Sequence, residues 1–97
     1  MVFQEFRGTL DGTRPPDEAS PLLIALWWDA RGDWARAHEI AQDVESPDGA
    51  WVHAYLHRKE GDGGNADYWY RRAGKSSSPA SLEAEWEEIV RELLLRT

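Results

Sequence analysis

The chain contains no cysteine. Disulfide staples, thiolate metal sites and cysteine nucleophiles are therefore excluded. No apolar run reaches membrane-spanning length, and the N-terminus lacks a basic segment followed by an apolar one. The default placement is cytoplasmic, with no membrane partner expected. Positive charge is also scarce, with 11 Lys and Arg against 18 Asp and Glu and a net charge of −7. A phosphate backbone would be repelled overall, so nucleic acid is not an expected partner. Alternating strand patterns are missing as well, and no Gly-rich phosphate loop follows a strand.

Aromatic residues are abundant instead. Six Trp, three Tyr and two Phe occur in 97 residues, enough large side chains to build one core in a single small domain. Residues 1–19 read as an N-terminal arm and loop. Phe3 and Phe6 can dock on the body, and the Gly-Thr-Arg-Pro-Pro run cannot continue a helix. Residues 20–97 read as one helical domain.

Ser-Pro pairs punctuate that domain at Ser20-Pro21, Ser46-Pro47 and Ser78-Pro79. Serine suits the N-cap and proline the first helical position. The pattern predicts five helices, at about 21–31, 34–45, 48–60, 63–73 and 80–96. The first, PLLIALWWDAR, is apolar nearly all round and is expected at the centre. The last carries Leu82, Trp86, Ile89, Val90, Leu93 and Leu94 on one stripe, with glutamates elsewhere. Gly32-Asp33 and Gly61-Asp62 each end one helix and cap the next. The fold class is all-α: two antiparallel helix hairpins plus a C-terminal amphipathic helix.

The centre of the chain, WVHAYLHRKEGDGGNADYWYRR over 51–72, concentrates the chemistry. His53 and His57 lie one turn apart on one helix face, with Glu60 on the same stripe. Paired histidines at this spacing bind zinc in H-E-x-x-H helices, but this stretch reads H-A-Y-L-H and lacks that glutamate base. If the helices on either side of residues 46–48 form a hairpin, His38 falls at the depth of residue 56. It could supply a third ligand, with Glu60 or Glu39 as a carboxylate. Three imidazoles with an open position suit zinc or another first-row divalent ion. The competing reading is three interfacial histidines bonded to neighbouring polar groups.

A small-ligand pocket is a second candidate. Trp51, Tyr55, Trp69 and Tyr70 offer stacking walls, and Arg58, Arg71 and Arg72 an anion fork. Against it, aromatics at helical spacing also make a core, and the arginines can pair with the C-terminal glutamates. A concave face for a protein partner, or self-association, is a third. Nucleophilic catalysis has little support, because the serines sit in caps and in the 76–78 linker. Gly61 to Gly64 could offer N–H groups to an anion, but Asp62 opposes one.

The Gly-Asp turns, the aromatic Trp34 and the small Ala37 resemble a tetratricopeptide or Sel1-like repeat over roughly residues 22–73. AHEIAQ, WVHAYLHRKEGD and NADYWYRRAG are similar to small bacterial proteins without an established activity. These resemblances imply a helical-hairpin architecture and carry no catalytic residues. The resulting expectation is a protein- or small-ligand-binding module using His38, His53, His57, Trp69 and Arg72. The alternative is a histidine-ligated metalloprotein, possibly hydrolytic, using His38, His53, His57 and Glu60. No cofactor is expected from any motif, except the divalent metal such as zinc that the histidines allow.

Overall fold

The computed structural model describes residues 1–96. The chain is all-α, with six helices and no strand among the described residues. They are α1 (Phe3–Gly8), α2 (Pro21–Ala30), α3 (Trp34–Gln42), α4 (Pro47–Glu60), α5 (Gly63–Ala73) and α6 (Leu82–Leu95); one 3-10 turn, Thr9–Asp11, follows α1. The additional helix, α1, lies in the N-terminal arm, where Phe3 and Phe6 are expected to dock on the body. Phe3 and Phe6 are buried, and their rings approach Trp86 of α6 at 6.0 and 6.1 Å. This segment is thus part of the single core.

The two Gly-Asp turns are built alike. Gly32 and Gly61 adopt φ values of 89° and 91°, a left-handed conformation that favours glycine. The next N–H reaches back to the preceding helix, Asp33 N to Trp28 O and Asp62 N to His57 O, both at 2.9 Å. Each aspartate then caps the following helix, accepting from Arg36 N and Asn65 N. Helices α2 and α3 pack together through the first turn, and α4 and α5 through the second.

Helix α4 takes the central place expected of α2. Nine consecutive residues, Gly49 through His57, are buried, because α2, α3, α5 and α6 all pack around it. Its sequence is apolar over more than one face, which suits a helix with neighbours on several sides.

Two boundaries differ from the sequence expectation. α3 stops at Gln42 rather than 45, because Pro47 restricts Ser46 to an extended backbone and the chain must turn before it. α6 begins at Leu82, capped by Ser81, whose Oγ accepts from Ala84 N at 3.1 Å. Ser78-Pro79 forms the turn before it, with Ser78 Oγ accepting from Ala80 N. Glu83 and Glu85 in the first turn favour this later start through the helix dipole.

Candidate metal centre

Helices α3 and α4 run side by side across the short 43–46 connection. Trp34 Nε1 donates to Leu56 O at 2.8 Å, and one turn along α3, His38 meets His53. His53 and His57 follow each other by one turn of α4, so both face His38. His38 Nε2 and His53 Nε2 are 2.9 Å apart. The ring centroids of His38 and His57 are 5.0 Å apart, and those of His53 and His57 4.8 Å. One ring nitrogen from each of the three lies within 4.8 Å of the others.

Two tryptophans hold the rings in place. Trp34 stacks on His38 at 4.9 Å and 11°, and Trp69 of α5 stacks on His53 at 4.0 Å and 13°. The cluster is therefore fixed by rigid planar groups from α3 and α5.

Glu60 sits outside the triad's ring of nitrogens. Its Oε2 accepts from His57 Nδ1 at 2.6 Å. The neutral tautomer that donates from Nδ1 satisfies this bond and carries its lone pair on Nε2. A carboxylate behind a histidine is the usual arrangement for orienting a metal-ligating imidazole. Glu60 thus positions His57 in the hairpin, where the sequence suggests a direct ligand. A second grouping of His57, Glu60 and Asp62 lies on the exposed side of the same turn. Glu39 is exposed and joins neither group.

Burial disfavours the charged form of two of the three rings. Burial, followed by repulsion from His38 and His57, pushes the His53 imidazolium down to about 4. Burial and His57 also lower His38, with Glu60 opposing the shift. Neutral imidazole is the form that binds a metal, so the shifts at His38 and His53 reduce competition from protons there. A nitrogen pair bound at about 2.0–2.1 Å to one tetrahedral ion stands about 3.3 Å apart, so His38 and His53 need separate by only a few tenths of an ångström.

A cleft of about 500 Å³ opens beside the cluster, bounded by His53, Trp69 and Arg72 on one side and by Gln42, Glu45 and Pro47 on the other. Of the five residues that the sequence singles out for ligand binding, His53, Trp69 and Arg72 line this cleft, and His38 and His57 adjoin it only through their ring contacts with His53. The other members of the expected pocket lie elsewhere. Trp51, Tyr55 and Tyr70 are buried in the core, and Arg58 pairs with Glu85. Arg71 lies on the exposed surface.

Most of those side chains serve a second polar cluster, in which Arg58 pairs with a C-terminal glutamate as the competing reading expects. Glu85 and Asp29 are each 1 % exposed. Glu85 accepts from Arg58 Nη1 at 2.7 Å, from Tyr70 Oη and from Trp51 Nε1. Arg58 also donates to Ala80 O. Asp29 accepts from Lys59 Nζ at 3.0 Å and Tyr55 Oη at 3.1 Å. Burial and these carboxylates raise both tyrosine hydroxyls well above their ordinary range. Glu85 falls in phase with Ile89 and Leu93, and Asp29 is the one charge in an apolar helix. Those were the available signals.

Comparison with family models, curated proteins and solved structures finds no match, so the chemistry of the site rests on its own geometry. Among the described residues no helix is long and apolar enough to cross a membrane.

Proposed function

We propose that this chain is a small metal-binding protein that holds one divalent first-row ion on His38, His53 and His57. The observation that carries the reading is the convergence of three imidazole nitrogens, two of them on buried side chains, within 4.8 Å. Three features support it. His38 and His53 are stacked into place, burial disfavours their protonated forms, and His57 is oriented from behind by Glu60. Three nitrogen ligands and no thiolate favour zinc, nickel or copper over magnesium, calcium or manganese. Three protein ligands leave a coordination position for water or a ligand.

Ala54 stands where a helix-borne hydrolase of the H-E-x-x-H type carries its general base. Glu60 is engaged by His57. The site is therefore better equipped to bind a ligand on the metal than to hydrolyse one.

Thermal unfolding of protein made without a polyhistidine tag, with zinc, nickel and manganese added in turn, tests this. At about one hundred times the dissociation constant, zinc should stabilise the fold by about 2.7 kcal/mol, raising the melting temperature by on the order of 10 °C. Manganese should do little, and His53→Ala should abolish the zinc effect. No shift at saturating zinc, or an equal shift in His53→Ala, refutes the proposal.

A further inference from the structure

The cleft beside the histidines has a charge pattern that the metal reading leaves unused. Arg72 is its one lining cation and Glu45 its one lining anion. Arg72 donates to Tyr68 Oη at 3.0 Å, and its guanidinium lies 5.2 Å from the Trp69 ring centre. Among the described residues it pairs with no carboxylate, although arginines 58, 91 and 96 all do. Trp69 contacts both Arg72 and His53, so the aromatic ring links the cation to the histidine cluster. Stacking also restricts a guanidinium that must present its N–H fork in one direction.

We propose that this cleft binds a small oxyanion, a carboxylate or a phosphate, between Arg72 and the ion held by the histidines. The inference rests on the metal reading of the same site. Arg72 supplies a charge-assisted hydrogen bond, which is strong and directional toward such oxygens. The remaining coordination position of a three-histidine ion accepts an oxygen ligand readily. Trp69 provides a flat wall for whatever the anionic group carries. The cleft volume of about 500 Å³ falls within the range of small-molecule sites. Glu45 faces the same space and opposes an anion, so its charge limits affinity without contributing a contact.

Cobalt(II)-loaded protein without a polyhistidine tag, titrated at constant ionic strength with inorganic phosphate or with acetate, separates the two layers of the argument. The visible cobalt band reports the ligands of the ion. Saturable change of the band by either anion is expected, and the tighter of the two identifies the anion class. Arg72→Gln should weaken that binding about tenfold while leaving the anion-free band unchanged. Glu45→Gln should tighten it severalfold. A normal cobalt band that neither anion alters overturns the inference and leaves the metal reading standing. So does an Arg72→Gln protein that binds as tightly as the wild type. Absence of any cobalt band removes both.

Discussion

Two polar clusters are built into the interior of this small domain, and they are opposites. Around Glu85 and Asp29, every buried charge meets a fixed counter-charge and a tyrosine hydroxyl. Around His38, His53 and His57, Glu60 is the one charged partner among the described residues, and it holds one ring from behind. The first cluster closes on itself and joins α2, α4, α5 and α6. The second gathers three imidazoles, two of them joined by the His38 Nε2–His53 Nε2 hydrogen bond, and borders a cleft through His53. A buried polar group whose donors and acceptors are all matched within the chain reads as structural. One in which three imidazole nitrogens converge offers a ligand set that a single ion can bridge.

The largest effect should come from breaking the closed cluster. Glu85→Ala leaves Arg58 and Tyr70 without their acceptor, and breaking a buried pair in this way costs about 3–5 kcal/mol. His53→Ala in metal-free protein should cost less, about 2 kcal/mol or under, because His38 is half-exposed and can turn to water. Urea unfolding of the two variants without metal compares them directly. Equal losses would mean that both clusters are merely structural.

A smaller effect, on the order of 2 kcal/mol, sharpens the contrast through acid. His53 protonates at about 4 in the fold and near its ordinary 6.5 when unfolded. Between those values the unfolded chain binds the extra proton. Metal-free stability should therefore fall as pH drops from about 6.5 toward 4, and level off for this group below that. Removing His53 should flatten this limb of the pH profile. Glu85→Gln, which leaves His53 in place, should keep this limb. Denaturation midpoints measured across this range, for the wild type, His53→Ala and Glu85→Gln, decide it.

Much of the histidine centre could be read from the chain. The i, i+4 pair fixes His53 and His57 on one face, and a turn near residues 46–48 sets His38 at their depth. The Gly32-Asp33 and Gly61-Asp62 turns mark the two hairpins for the same local reason, since backbone conformation and caps are short-range. What eluded the sequence is long-range. Periodicity places Glu85 on the buried stripe of α6, but nothing local says that Arg58, far back in the chain, crosses to meet it. For Trp51, Tyr55 and Tyr70 helical spacing favoured a core over a pocket, and they are buried there, but spacing gives the face and not the neighbour. Ser78-Pro79 matched the helix-opening pattern, yet Ser81 offered a better cap closer to an acidic first turn.

The central claim, three imidazoles sharing one ion, is tested most directly by nitrogen-15 NMR of the side-chain rings during a zinc titration. The chain has three histidines, so every imidazole signal reports on the site when no tag is present. The account predicts that the rings of His38, His53 and His57 all shift to metal-bound values together and stop changing at one equivalent of zinc. Rings that keep their metal-free signals at one equivalent, or a response confined to His57 on the side of Glu60 and Asp62, would contradict it.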